Sequence, residues 1–187
     1  MLKSILLALA GCVIVVLTLA ASRPDTFRVE RSLAIKAPPE KIYGHIADFR
    51  SWGAWSPYER KDPALKRTFS GPPSGAGAAY AWAGNKEIGV GRMEIAEAAA
   101  PRAVRIKLDF QEPFETHNVV EFTLRPQQEE TVVRWAMHGQ QPFVGKLAGL
   151  FMDMDRMVGR DFEAGLEALK AVSEKEGPSG SERLLRL

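Results

Sequence analysis

The stretch Val29–Pro57, VERSLAIKAPPEKIYGHIADFRSWGAWSP, decides the fold of this chain. Apolar and polar residues alternate at its start, which predicts a half-buried strand over 27–36. Two prolines then precede isoleucines at helical spacing, so we expect a short helix over 37–49. Two tryptophans and a Ser-Pro pair oppose any longer helix. The stretch therefore predicts one strand that leads directly into a short helical pair.

Downstream of this stretch, alternating runs with short turns between them dominate the sequence. The predicted strands cover 78–83, 89–98, 103–110, 116–125 and 131–138. Short connections between consecutive strands predict an antiparallel meander. A single helix is predicted over 143–176, where one apolar stripe recurs at spacings of three and four. We therefore expect an α+β domain in which an antiparallel sheet and a long C-terminal helix bury each other's apolar faces.

The N-terminus is apolar enough to suggest a membrane anchor. No charge occurs from Ser4 to Ser22, and as a helix this run would span roughly 28 Å, about the hydrocarbon thickness of a bilayer. The alternatives are a cleaved secretory signal, which would leave the domain secreted or periplasmic, and a lipoprotein signal at Cys12. The flanking charges leave the side of the membrane open. We predict a transmembrane anchor over 1–23, a folded domain over 24–176 and a disordered tail over 177–187.

The composition argues against several classes of function. A length of 187 residues suits one domain with an added segment, and a net charge of +2 with interspersed Lys and Arg argues against a nucleic-acid partner. The only cysteine, Cys12, lies in the predicted anchor, so the domain has no disulfide and no thiol nucleophile. His45, His117 and His138 lack the spacing of metal ligands, and no nucleotide-binding or nucleophile-elbow motif occurs. We predict no metal and no cofactor.

Five segments together resemble the SRPBCC superfamily, whose START-like or helix-grip fold includes polyketide cyclase/dehydrase-like proteins. They are the opening stretch, YAWAGNKEIGVGRMEI (80–95), PFETHNVVEFTL (113–124), VVRWAMHG (132–139) and MDRMVGRDFEAGLEALK (154–170). The resemblance covers about 27–174 and leaves out the predicted anchor. It implies a sheet wrapped around the C-terminal helix, with a cavity between them that takes a hydrophobic or amphipathic small molecule.

Large apolar side chains fall on the inward phase of this arrangement. Tyr80, Trp82 and Trp135 share the inward phases of their strands, while Met154 and Met157 lie on the apolar stripe of the predicted helix. Such side chains either fill a core or line a cavity. We therefore treat the five residues as a ligand-site hypothesis, with core packing as the alternative.

Two polar residues share those inward phases. Asn118 lies among core positions, so it either ties down a neighbouring loop or offers a hydrogen bond to a ligand. Arg31 lies between Val29 and Leu33, and it can pair with a carboxylate such as Asp153 or Asp155, extend to the rim, or receive an anionic group of a ligand. Pairing within the protein is the favoured interpretation for Arg31.

Trp52 and Trp55 follow the short helix, where they are expected to pack against one end of the long helix. Aromatic rings mainly contribute buried area, and each indole N–H can bond a nearby carbonyl. We therefore favour a structural plug at the end of the cavity over a direct ligand platform, with a lid as the remaining functional role.

The sequence favours a membrane-tethered binding module for a hydrophobic or amphipathic molecule. An enzyme of the cyclase/dehydrase or hydrolase type is the alternative, and its candidate groups would be Tyr80, Arg31, Asp109 and Asp161, which form no evident convergent pair. A structural partner in a membrane complex is a third possibility, and it predicts an exposed apolar patch on the domain.

Overall fold

The first element of the fold is the apolar N-terminal helix. A computed structural model describes residues 2–175 and begins with α1, Leu2–Ala21. This helix is long and apolar enough to cross a membrane, a property that an N-terminal signal sequence shares. The predicted tail, 177–187, lies outside the described residues.

Seven strands then form one antiparallel sheet in the order β1-β7-β6-β5-β4-β3-β2. The strands are β1 (Thr26–Ile35), β2 (Lys66–Ser70), β3 (Ala79–Ala83), β4 (Val90–Ala99), β5 (Ala103–Glu112), β6 (Thr116–Gln127) and β7 (Glu130–Gln140). The six predicted strands are confirmed, each within a few residues of its expected bounds. The sequence does not predict β2, because KRTFS has one large apolar side chain and lies at the edge of the sheet, where no alternation is needed.

The helices are α2 (Pro39–Ala47), α3 (Phe143–Ala148) and α4 (Met154–Ser173), and two short 3-10 helices, Phe49–Ala54 and Pro57–Arg60, follow α2. The prediction of one helix over 143–176 is wrong, because the chain breaks between α3 and α4. Asp153 starts α4 independently, since its side chain accepts a hydrogen bond from the backbone N–H of Arg156 at 3.0 Å.

Helix α4 packs on β1 and β7 and thereby closes the core. Its buried stripe consists of small and large residues, namely Gly159, Phe162, Gly165, Leu166, Leu169 and Ser173. A Cβ atom at Gly165 would lie 2.6 Å from Cζ3 of Trp135 and 3.0 Å from Cδ of Pro57, so only glycine permits this close approach. The antiparallel sheet with a helix laid across one face is the helix-grip arrangement that the sequence predicts.

Candidate functional site

The antiparallel register brings the predicted inward residues into rows across the sheet. One row crosses the whole sheet and, from β7 to β3, contains Gly139, Asn118, Leu108, Met93 and Tyr80. The next row toward the same end of the sheet contains Thr116, Phe110, Gly91 and Trp82. Directly paired residues point to the same face of a sheet. Tyr80, Trp82 and Asn118 therefore lie at one end of the inner face, as neighbours in two adjacent rows.

This end of the inner face is more accessible than the rest. Asn118, Met93 and Trp82 are each 8% exposed and Leu108 is 7% exposed, whereas Ile106 and Ile95 in the row behind them are 0% exposed. Phe110 is half-buried, and its ring meets that of Trp82 edge to face with centroids 5.6 Å apart. We call Trp82, Met93, Leu108, Phe110 and Asn118 the open end of the sheet.

Aromatic rings fill the space beneath α4. Trp135 stacks on Phe162 with ring centroids 4.1 Å apart, and its other neighbours are Phe122 and Trp55. Trp135 is 2% exposed, and within residues 2–175 no acceptor reaches its indole N–H. Core packing, the alternative considered for Trp135, is therefore what its surroundings support: Gly165 lets α4 approach so closely that a Cβ atom there would lie 2.6 Å from the ring.

Asn118 contributes a polar atom to the otherwise apolar open end. Its amide nitrogen donates to the hydroxyl oxygen of Thr116 at 3.3 Å, so the side chain bonds its own strand and not a neighbouring loop. Its Oδ1 atom is buried, and no donor among residues 2–175 reaches it. A Cβ atom at Gly139 would lie 2.2 Å from this Oδ1, so the glycine in β7 provides the space that the carbonyl occupies.

Tyr80 is bound to a network that the sequence did not reveal. Its hydroxyl donates to Glu59 Oε1 at 2.6 Å, and Arg67 donates to Glu59 Oε2 at 2.6 Å. Burial and then the hydrogen bond to Glu59 raise the pKa of Tyr80 well above its ordinary value. Glu59 lies in the second 3-10 helix and Arg67 in β2, two elements with no apolar periodicity. Only the pairing of β2 with β3 brings them to Tyr80.

Arg31 is saturated by carboxylates of α4. Its guanidinium bonds Asp155 at 3.0 Å and Glu163 at 2.7 Å. The hydrogen bonds to Asp155 and Glu163 raise the pKa of Arg31, while Arg31 lowers the pKa of Asp155. The structure thus contains the ion pairing within the protein that the sequence analysis favours for Arg31. The hypothesis that Arg31 receives an anionic ligand is corrected, because its donors already have acceptors.

Met154 and Met157 point away from the sheet and correct the predicted stripe. They are 41% and 54% exposed. At 100° per residue, Met157 projects roughly 140° away from Phe162, the centre of the buried face. The expected stripe grouped every apolar residue at a spacing of three or four, but the buried face of α4 is narrower, centres on Phe162, Leu166 and Leu169, and leaves the two methionines outside it. The side of α4 that faces β1 is taken instead by Asp155 and Gly159.

Trp52 and Trp55 lie between α2 and the sheet. They are 3% and 0% exposed, and both rings contact Phe122. The indole N–H of Trp52 donates to the carbonyl of Ile46 at 3.0 Å, and that of Trp55 donates to the carbonyl of His45 at 3.1 Å. Both rings contribute buried area and fix the end of α2. Their role as a lid stays a prediction.

The fold and the apolar inner face define a helix-grip protein. Residues 26–174 match the family described as "Polyketide cyclase / dehydrase and lipid transport", and the chain belongs to this family. No curated protein sequence matches the chain. The superfamily resemblance that the motifs indicate is thereby confirmed.

Solved structures share the fold at low sequence identity. A protein from Chromobacterium violaceum is 15% identical with a TM-score of 0.58, and the match covers 82% of this chain and 100% of that one. The ginseng major latex-like protein 151 from Panax ginseng is 10% identical with a TM-score of 0.58, covering 81% and 99%. CalU16 from Micromonospora echinospora is 14% identical with a TM-score of 0.53, covering 86% and 90%. At these identities the likeness concerns the fold alone.

Proposed function

We propose that this protein is a membrane-anchored binding protein that holds a hydrophobic or amphipathic small molecule at the open end of the sheet. The observation that carries the proposal is the buried Asn118 Oδ1 atom, which has no donor within residues 2–175 and lies in a row of apolar side chains. A buried acceptor without a partner costs about 1–3 kcal/mol, so a ligand that donates to it recovers this energy.

The surroundings of Asn118 define the chemistry of the ligand. Leu108, Met93, Phe110 and Trp82 offer apolar and aromatic contact, and Asn118 offers one hydrogen-bond acceptor. Apolar sites with a few fixed polar groups are typical of small-molecule sites, in which the polar group orients the ligand. An apolar molecule with one hydroxyl or N–H group fits this pattern.

The N-terminal helix supports placement of the domain at a membrane. α1 has 20 residues, and its length as a helix is about 30 Å, which matches the hydrocarbon core of a bilayer. An anchor keeps the domain near the phase into which an apolar ligand partitions, and this raises the local concentration of that ligand without any new contact.

The geometry favours binding over catalysis. Each candidate acid or base is already engaged: Tyr80 donates to Glu59, Arg31 pairs with α4, Asp161 accepts from Lys61 at 2.9 Å, and Asp109 bonds His117 at 2.7 Å. Asp109 and His117 also lie on the outer, exposed side of the sheet. A general acid or base must reach the substrate proton, and these groups do not converge on one point of the open end.

Extraction of bound molecules tests the proposal directly. The full-length protein is purified in a mild detergent, extracted with organic solvent, and the extract is analysed by mass spectrometry. Leu108→Trp should fill the open end and remove the bound species, whereas Lys107→Trp, the neighbouring exposed position on the opposite face of β5, should retain it. Equal recovery from both variants, or no enriched molecule in the wild type, contradicts the proposal.

A further inference from the structure

Exposed apolar side chains are concentrated in one segment of the domain. Among the described residues outside α1, seven large hydrophobic side chains are exposed, and six of them lie within 143–157. They are Phe143 and Val144 on α3, Phe151 and Met152 in the connection, and Met154 and Met157 on α4. We call residues 143–157 the apolar segment. A patch of this kind on a folded domain marks an interaction surface.

The apolar segment packs against the C-terminal part of α1 through α3. α3 packs against α1, and the residues of α1 that lose exposure are Val16, which is half-buried, and Ala20, which is 0% exposed. These two residues are one helical turn apart and lie in the last part of α1. α3 therefore lies beside the end of the apolar helix rather than beside its middle.

Polar contacts hold this arrangement in place. Lys146 of α3 is 7% exposed and its ammonium group bonds the carboxylate of Asp25, which lies in the linker after α1. The backbone N–H of Gln141 donates to the carbonyl of Asp25 at 2.7 Å. The linker, the end of β7 and α3 are thereby joined, so α3 keeps a defined position relative to α1.

We propose that the apolar segment inserts into the interfacial layer of the bilayer that α1 spans; this inference rests on the membrane anchoring in the proposed function. If α1 needs all of its 20 residues to cross the hydrocarbon, Val16 and Ala20 lie within about 9 Å of its edge. α3 is then at the depth where apolar faces of interfacial helices are found. Phe151, at 78% exposed, and Met152 extend this apolar surface toward the start of α4.

Charge does not account for this surface. The charged residues of the apolar segment are Lys146, Asp153, Asp155 and Arg156, and their formal charges cancel. Lys146 pairs with Asp25 and Asp155 pairs with Arg31, so neither is free to bind a headgroup. Insertion should therefore depend on apolar contact and not on anionic lipid.

The insertion would also orient the open end toward the bilayer. Gly139, which pairs with Asn118, lies four residues before Phe143. The same end of the sheet thus carries the open end and continues into the apolar segment. A molecule dissolved in the bilayer could reach Asn118 without crossing bulk water.

Depth-dependent quenching tests the insertion in the full-length protein. Cys12→Ser removes the only native cysteine, and Phe151→Cys introduces a site for an environment-sensitive fluorophore at an exposed position. Glu129→Cys in the turn between β6 and β7, at the opposite end of the sheet, is the matched control. Both proteins are reconstituted in phosphatidylcholine vesicles with and without a lipid that carries a nitroxide near the headgroup.

We expect a blue-shifted emission and strong nitroxide quenching for the label at 151, little of either for the label at 129, and no change when phosphatidylglycerol is added. Equal quenching at both positions overturns the inference. The inference is also overturned if lipid nitroxides do not quench the label at 151 while the label is shielded from iodide in solution. That result means that another protein surface, and not the bilayer, covers the apolar segment. Retention of the protein in vesicles after an alkaline wash tests α1 separately: loss on washing contradicts the anchor, and retention with an unquenched 151 contradicts only the insertion.

Discussion

The indole of Trp135 lies flat on the ring of Phe162, with ring centroids 4.1 Å apart and an angle of 11° between the planes. One residue belongs to β7 and the other to α4, so this stack joins the sheet to the helix that crosses it. It also occupies the space where the superfamily resemblance implied a cavity. On the inner face, the side chains with slightly higher exposure, at 7–8%, lie instead at the open end of the sheet.

Removal of the Phe162 ring should destabilise the domain strongly. Phe162 is 1% exposed, and a buried Phe→Ala change costs about 3–5 kcal/mol because it removes apolar contacts and leaves a cavity. We expect Phe162→Ala to lower the free energy of unfolding by this amount in chemical denaturation of the full-length protein in detergent. Phe114→Ala, at a position 71% exposed, should change it by less than about 0.5 kcal/mol. Similar values for the two variants would contradict the packing described for α4.

Two glycines in helices should respond to alanine in opposite directions. A Cβ atom at Gly165 would lie 2.6 Å from Trp135, whereas one at Gly44 in α2 would have nothing within 4 Å. Gly165→Ala must push α4 from the sheet and should lower the midpoint of thermal unfolding. Gly44→Ala should raise it, because alanine is favoured over glycine inside a helix by up to about 1 kcal/mol. A rise for both variants would show that α4 does not depend on close approach.

Asn118→Leu should separate ligand binding from stability. Because Oδ1 has no donor within residues 2–175, replacement by an apolar side chain of similar shape should leave the free energy of unfolding unchanged or raise it. The same change removes the acceptor at the open end. We therefore expect an unchanged or higher midpoint of unfolding together with weaker retention of the molecule that copurifies with the wild type. Retention at the wild-type level would exclude Asn118 as a ligand contact.

The pKa values of His117 and His45 should be shifted in opposite directions from the ordinary value of a histidine. The hydrogen bond to Asp109 raises the pKa of His117, while burial and the neighbouring Lys41 lower the pKa of His45. Protonated His117 thus contributes stability that is complete below the unfolded pKa of about 6.5 and is lost as the pH rises through the folded pKa. NMR titration of the imidazole protons should resolve the two shifts.

Asp109→Asn supplies the control for this titration. It removes the carboxylate that bonds His117 at 2.7 Å, so the pKa of His117 should fall while that of His45 stays in place. If the pKa of His117 is the same in the variant and the wild type, the pairing across β5 and β6 does not hold in solution.

The local pattern of the sequence was sufficient for most of the fold. Alternation located six of the seven strands, since a strand with one buried face must place apolar residues at every second position. β2 was not predicted, because an edge strand with exposed side chains does not need apolar residues at every second position. The same alternation placed Tyr80, Trp82 and Asn118 on one face, where the register brings them to one end of the sheet.

By itself, the sequence determined which residues face inward, because the periods of strands and helices are local properties of the chain. Only the tertiary structure decided which inward residues are free to bind. Arg31 meets Glu163, which is 132 positions away, and Tyr80 meets Glu59 through the pairing of β2. Met154 and Met157 are exposed because the buried face of α4 centres on Phe162, Leu166 and Leu169 and leaves them outside it. Such partners depend on how separate elements pack against each other. The periodicity of residues within one helix or strand carries no information about the distance between elements.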